Sequence, residues 1–280
     1  MSATTPAPAA PTLDVSGTPR TPFLRLVAVE WRKMLDTRSG FWLLLSTGIL
    51  IALVMGVIVL IAALNSTDLD VTSNGLSQVF TVPVSLLVPV FGVLIVTSEW
   101  SQRTAMVTFA LEPHRIKVIW AKLTAVSALA IATIAFAVLL GSITNVLVAA
   151  IDGFDPVWNL SAARFFWIVM VQLAFFGMGF ALGTLLLNTP GAIAIFYVVA
   201  LMLPLILWPT LFFVFDWAED VLPWVEVNTA SAPLISGTNI IGEDVSVGTT
   251  EYLQFVTSAS LWVLLPLVLG IWRLLRAELK

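Results

Sequence analysis

The sequence predicts an all-α integral membrane protein that crosses the bilayer six times, with both termini in the cytoplasm. The chain is 59% hydrophobic and only 11% charged, and its apolar residues occur in long unbroken runs. Soluble globular chains carry about 25% charged residues, so this composition favours a membrane protein. The runs do not alternate between apolar and polar residues as the strands of a membrane barrel do, which leaves membrane-spanning helices.

Six runs are long enough to be spans, since a helix needs about 20 apolar residues to cross the hydrocarbon core. None of them contains Asp, Glu, Lys, Arg or His. Each such residue at a helix centre would cost about 2.5–3.5 kcal/mol on insertion. The predicted spans cover residues 41–64, 79–97, 123–151, 165–187, 191–215 and 253–272.

Basic residues orient these spans, because short loops rich in Lys and Arg stay on the cytoplasmic side. Twelve of the 13 Lys and Arg residues precede the first span, lie between the second and third, or follow the sixth, and the exception is Arg164. The alternate loops are acidic. We therefore expect a multi-pass protein of the cell membrane with both ends inside.

Two segments precede the first span. Residues 1–19 are rich in Ala, Thr and Pro and have no apolar period, which predicts a disordered tail before a membrane-spanning domain over residues 20–280. Residues 21–38 predict an amphipathic helix, with Thr21 as its N-cap and Pro22 in the first helical position.

This amphipathic helix is typical of the membrane interface. Its polar face is basic and includes Arg32 and Lys33, whereas Trp31 belongs to its apolar face and would sit at headgroup depth. Two roles remain open: a membrane anchor alone, or an anchor that also contacts a partner.

The loop from Asp216 to Glu251 predicts a further set of elements on the outer side. It contains two amphipathic stretches, and a structureless loop of this length would be unusual. We expect short helices that dip back towards the outer leaflet, as a re-entrant element between the fifth and sixth spans.

Four residues within the spans are candidates for helix contacts or for a translocation path. Gly179 and Gly183 form a GxxxG pair, which permits close helix approach inside the molecule or in a dimer. Asn145 and Gln172 are uncharged polar residues that either line a path or form hydrogen bonds between helices.

Several chemistries are missing from the sequence. One histidine and no cysteine leave no HExxH site and no cysteine metal site. Neither a GxSxG elbow nor a GxxxxGK[ST] loop occurs. We therefore expect no catalytic residues, no cofactor bound by this chain and no ATP site, so the energy for any transport must come from another subunit.

The loop of residues 98–121, between the second and third spans, carries the most informative motif. We name it the 2–3 loop. Its first part predicts a short helix with Trp100, Val107 and Leu111 along one side, and Pro113 would end that helix.

Over about residues 20–280 the chain resembles the permease subunits of ABC transporters, in the type-two exporter family. Members of this family have an interfacial helix, six spans, an inner loop after the second span and an outer re-entrant element after the fifth. The most specific likeness is a Glu-aromatic, Gly-Thr, Leu, Pro, Arg, Lys-Leu pattern, in which Arg103 stands in place of the glycine. The matching residues are Glu99, Trp100, Arg103, Thr104, Leu111, Pro113, Arg115, Lys122 and Leu123.

The resemblance implies a partner and an assembly. Residues 99–118, which include Glu112, would form a coupling helix that docks into a separate ATPase subunit, and ATP and magnesium would be held there. The helix of residues 21–38 would pack beside it. Six spans make half of a transporter in this family, so a second permease subunit, identical or different, is implied. Membrane lipids would surround the dimer, and no nucleic-acid partner is expected.

Two other classes of function remain open from the residues. A sensor or scaffold would recruit a cytoplasmic partner without moving a solute, and the large outer loop would suit it. A membrane-embedded enzyme is disfavoured by the lack of acids and bases within the spans. The substrate cannot be derived, although an uncharged path favours amphipathic or lipid-like cargo.

Overall fold

The computed structural model describes residues 21–64 and 71–276, so the predicted tail at residues 1–19 lies outside the described residues. The described residues form helices, with two isolated β-bridges and no strand among them. Six of these helices are long and apolar enough to cross a membrane, which confirms the predicted helical class and the number of spans. In chain order the six spans are Arg38–Leu64, Ser73–Ser101, Arg115–Asp152, Ala162–Leu186, Thr189–Val214 and Thr249–Arg276.

The ends of the spans are set by capping groups rather than by hydropathy. The side chains of Thr72, Ser161 and Asn188 accept hydrogen bonds from the first turns of the second, fourth and fifth spans. Gly153, with φ 77°, ends the third span in the left-handed conformation that glycine adopts easily. The third span also starts early, at Arg115, and so includes residues that the apolar run had left in the loop.

The second and fourth spans form the centre of the bundle. In their most apolar stretches 67% and 61% of the residues are buried, against 17% in the first span and 11% in the fifth. A Cβ added at Gly179 would overlap the Pro89 carbonyl, and one at Gly183 would lie 3.0 Å from Val93 Cα. The GxxxG pair therefore lies at a close contact inside the molecule.

The first and fifth spans expose apolar side chains over most of their length. The fifth span changes to π-helix over Val198–Leu207, and the sixth does so over Ser260–Leu264. Pro204 lies within the first π segment, where its missing N–H removes one backbone hydrogen bond. The first and fifth spans therefore leave broad apolar faces that lipid or another subunit can cover.

The loop between the fifth and sixth spans forms two short helices, Trp217–Val225 and Val227–Ser236. Glu226 joins them, and its buried carboxylate accepts two backbone N–H groups from the first turn of the second helix. That second helix packs against the fourth and sixth spans. Trp262 Nε1 of the sixth span donates to the carbonyl of Val225 at 2.7 Å. Short helices thus occupy the predicted segment and pack onto the bundle.

Contacts near the ends of the spans show which loops lie at the same end of the bundle. At one end, Thr189 of the turn between the fourth and fifth spans donates to Thr97 Oγ1 of the second span at 2.7 Å. At the other end, the backbone N–H of Asn74 donates to Asn159 Oδ1 at 2.9 Å. The 2–3 loop therefore lies at the same end as the turn between the fourth and fifth spans.

The N-terminal helix, Phe23–Asp36, packs against the third span. Pro22 is its N-cap, with φ −61° and ψ 144°, so the predicted N-cap at Thr21 is wrong. The extended ψ of Pro22 keeps it outside the helix, although its φ would suit the first helical position. Trp31 is partly buried against the core of the bundle, whereas Arg32 is exposed.

Candidate functional site

Four charged side chains from three elements meet at the end of the bundle that carries the 2–3 loop. Glu30 and Lys33 come from the N-terminal helix, Glu99 from the end of the second span and Lys122 from the start of the third. Lys122 Nζ lies 2.8 Å from Glu30 Oε2 and 2.9 Å from Glu99 Oε1. Lys33 Nζ lies 2.8 Å from Glu30 Oε1 and 2.9 Å from Glu99 Oε1. We name these four residues the ion cluster.

Most of the ion cluster is withdrawn from water. Glu30 and Lys122 are each 4% exposed, and Glu99 is 8% exposed. Lys122 also donates to the carbonyl of Ile95 at 3.1 Å, so all three of its N–H donors have partners. Buried charges are tolerated when they are paired and hydrogen-bonded, and here two ammonium groups balance two carboxylates. The ion cluster therefore holds three elements in one relative position.

Lys33 closes the ion cluster on its solvent side. Burial alone would lower the pKa of Lys33, but hydrogen bonds and charge from Glu30, and then from Glu99, outweigh it and hold the pKa above its usual value. Lys33 is therefore charged at neutral pH. The stabilisation that charged Lys33 contributes is fully present at pH values below its pKa in the unfolded chain. It is lost as the pH rises through the raised pKa of Lys33 in the folded chain.

The 2–3 loop turns sharply at Arg103, shortly after the second span ends at Ser101. Arg103 adopts φ 57°, in the left-handed region, and the Thr104 backbone N–H donates to the Glu99 carbonyl at 2.9 Å. A left-handed residue is where glycine fits best, and Arg103 occupies the glycine position of the family pattern. The turn ends the second span and starts a separate helix, Ala105–Leu111, which we name the loop helix.

The break at Arg103 divides the apolar side that the sequence predicted for this loop. Trp100 belongs to the second span and packs against the core. Val107 and Leu111 belong to the loop helix and are 61% and 80% exposed, and Met106 beside them is 52% exposed. The prediction of a single face shared by Trp100, Val107 and Leu111 is therefore wrong, because the turn at Arg103 separates Trp100 from the helix that holds the other two. The loop helix is left with an uncovered apolar face.

A second polar group holds the far end of the loop helix. The helix ends at Leu111, before the exposed Pro113. The carboxylate of Glu112 accepts from Lys117 Nζ at 3.2 Å and lies 3.1 Å from the ring nitrogen of His114. Burial would raise the pKa of Glu112, but the hydrogen bonds from Lys117 and His114 hold the pKa below its usual value. Glu112 is therefore an anion at neutral pH.

Arg115 joins the 2–3 loop to the end of the sixth span. Its Nη1 donates to the carbonyl of Leu274 at 2.9 Å. Arg273, on that same last stretch of the sixth span, donates to the carbonyl of Leu185 at the end of the fourth. Guanidinium groups thus satisfy the free carbonyls of two helix C-termini, where positive charge is favourable.

The candidates within the spans lie away from this site. Asn145 is buried and donates to the carbonyl of Val157 in the loop after its own span, at 3.1 Å. Gln172 of the fourth span is buried and donates to the carbonyl of Thr81 in the second span, at 3.4 Å. Both amides are therefore engaged with backbone carbonyls.

A cavity of about 540 Å³ lies beside the ion cluster. The N-terminal helix, the start of the first span, the end of the second span and the loop helix enclose it. Its size is that of a small-ligand site. The ion cluster forms part of its wall.

Sequence reasoning missed Glu30, and with it the ion cluster. Apolar residues recur along the N-terminal helix at Val27, Trp31 and Met34, and Glu30 lies within that stripe. A charge within an apolar stripe signals a buried ion pair, because an unpaired charge would be costly there. The partner, Lys122, is 92 residues away and cannot be found from spacing.

Comparisons with known proteins add no assignment. No family model matches the chain, and no curated protein matches it. The function is therefore argued from the geometry of this site and from the resemblance of the motif at residues 99–123.

Proposed function

We propose that the chain is the membrane-spanning permease subunit of an ATP-driven ABC exporter in the cell membrane, with both termini and the 2–3 loop in the cytoplasm. The observation that carries this proposal is the loop helix, which is anchored at its root and exposes Met106, Val107 and Leu111. An exposed apolar helix surface of this kind suits a groove on a partner protein. The proposed partner is a separate ATPase subunit, which would hold ATP and magnesium.

The ion cluster gives the loop helix a rigid connection to the membrane domain. Glu99 lies directly before the turn into the loop helix, and Lys122 lies on the span that follows the loop. Their contact joins both flanks of the 2–3 loop to Glu30 of the N-terminal helix. A movement imposed on the loop helix would therefore be passed to the second span, the third span and the N-terminal helix together.

The remaining parts of the proposal concern assembly and path. The apolar faces of the first and fifth spans would be covered by lipid and by a second permease subunit, which makes a dimer. The two helices between the fifth and sixth spans would form the outer re-entrant element. The engaged amides of Asn145 and Gln172 favour helix contacts for these two residues over a path.

The test is made on the exposed face of the loop helix. Val107→Asp combined with Leu111→Asp should lower co-purification of a P-loop ATPase with the tagged full-length chain by about tenfold or more, because apolar anchors dominate such interfaces. Val247→Asp is the matched control, since Val247 is also exposed but lies in the loop before the sixth span. The loop-helix variant and the Val247→Asp control should be recovered from membranes in equal amounts.

The outcome separates the proposal from its rival. A stoichiometric ATPase that is lost only with the loop-helix variant supports a transporter. A kinase, or no partner at all with an intact chain, would favour a sensor or scaffold. Charge reversal at the exposed Arg103 should uncouple ATP hydrolysis from transport. Reversal at Glu99 or Arg115 is a poorer test, because both hold other elements in place.

A further inference from the structure

We infer that the cavity beside the ion cluster binds the phosphate headgroup of an anionic phospholipid. This goes beyond the proposed function, because coupling to an ATPase needs the loop helix and the ion cluster but no ligand.

The charge of the cavity favours an anion. Glu30 and Glu99 are each paired with both lysines of the ion cluster, which leaves Arg38 as the additional charge on the wall. Arg38 makes no hydrogen bond or ion pair within residues 21–64 and 71–276. The lining therefore holds three cations against two carboxylates, and its unmatched group is a guanidinium, which binds phosphate in a bidentate manner.

Neutral donors also belong to the lining. Ser98, Gln102 and Thr108 line the cavity, and their side chains form no hydrogen bond with any other described residue. Hydroxyl and amide groups of this kind complete the shell of a phosphate after a guanidinium has supplied the charge.

The lining becomes apolar deeper along the second span, which distinguishes a lipid from a free phosphate. Phe91, Leu94 and Ile95 precede Ser98 on one face of that helix, and they line the cavity together with Met34. Inorganic phosphate would gain nothing from this surface, whereas the glycerol and upper acyl carbons of a phospholipid would be removed from water there.

The depth of the cavity also fits a headgroup. Arg38 is the first residue of the first span, and the apolar run begins directly after Gly40. The N-terminal helix meets the first span at Thr37, so the cavity opens at the junction of an amphipathic helix and a membrane span. Basic pockets between helices at this level are the known setting for anionic headgroups.

The experiment compares lipid binding by the full-length chain, purified alone in a neutral detergent, with native mass spectrometry as the readout. Phosphatidylglycerol and phosphatidylcholine of the same acyl composition are offered in turn. We expect a preference for phosphatidylglycerol that falls about fivefold in Arg38→Gln, which removes one cationic contact. Arg32→Gln is the matched control, because Arg32 is exposed and does not line the cavity.

Two further arms keep the result decisive. Ser98→Phe fills the cavity without changing charge and should lower binding of phosphatidylglycerol as strongly as Arg38→Gln does. Millimolar inorganic phosphate should leave binding unchanged. Equal binding of the two lipids, an equal loss in Arg32→Gln, or displacement by inorganic phosphate would each overturn the inference. No ATPase is present in these lipid-binding measurements. A negative result would therefore count against the lipid site and not against the proposed function, which is tested by co-purification of an ATPase.

Discussion

Lys122 is the residue on which the ion cluster depends most. Its ammonium group contacts both carboxylates and is almost fully withdrawn from water. Without it, Glu30 and Glu99 would face each other with only the partly exposed Lys33 between them.

We expect Lys122→Met to destabilise the folded chain by about 3–5 kcal/mol, because it leaves two buried carboxylates to share the single ammonium group of Lys33. The measurement is the midpoint of unfolding in mixed detergent and dodecyl sulfate micelles. Lys33→Met is the matched control and should cost less, since the Lys33 side chain is 43% exposed. Equal losses in both variants would show that burial does not set the energy of the cluster.

Glu99→Gln combined with Lys122→Met removes one charge of each sign and leaves the Glu30–Lys33 pair balanced. The double variant should therefore lose less stability than the two single variants lose together, by about 0.5–3 kcal/mol of coupling. The same unfolding midpoints measure it. Simple additivity would contradict the direct contact between Glu99 and Lys122.

The backbone at Arg103 makes a second prediction at the scale of one residue. Its left-handed conformation costs a non-glycine residue about 1–2 kcal/mol, so Arg103→Gly should raise stability by about 1 kcal/mol after the added entropy of the unfolded chain is subtracted. Gln102→Gly is the control, because Gln102 has φ −90° and gains no relief. A loss of stability in Arg103→Gly would contradict the turn.

At the scale of elements, the second and fourth spans depend on glycine for their close approach. Gly179→Leu should destabilise the bundle by about 1–3 kcal/mol or more, because the new side chain would occupy the position of the Pro89 carbonyl. Gly48→Leu is the matched control: a Cβ at Gly48 meets nothing within 4 Å, so this change should be nearly neutral. Thermal unfolding in detergent, followed by helical circular dichroism, compares the two.

The loop helix and the N-terminal helix are linked elements. Both are tied to Lys117 of the third span, which donates to the Glu112 carboxylate at the end of the loop helix at 3.2 Å and to the carbonyl of Thr21 before the N-terminal helix at 2.6 Å. A partner that moves the loop helix would therefore also move the N-terminal helix. This observation favours the second of the two roles left open for that helix, an anchor that also takes part in partner contact.

At the scale of the whole molecule, the proposed topology puts the 2–3 loop and the loop after the fifth span on opposite sides of the membrane. The chain has no cysteine, so single introduced cysteines report on sidedness without background. Ser101→Cys should react with an impermeant maleimide only from the cytoplasm, and Ser246→Cys only from outside. Both positions are exposed, whereas Ser73 is buried and unsuitable. The reverse pattern would invert the proposed topology and remove the ATPase contact.

The number and approximate positions of the six spans followed from the sequence, because insertion into a bilayer is a sum over the residues of one segment. The short helices between the fifth and sixth spans followed for the same reason, since amphipathic periodicity is also local. Only tertiary structure could decide that Gly179 faces Pro89, that Arg103 adopts a left-handed conformation, and that Glu30 meets Lys122 across 92 residues. These facts depend on which helix faces turn towards each other, and that choice is made by packing and charge pairing over the whole bundle.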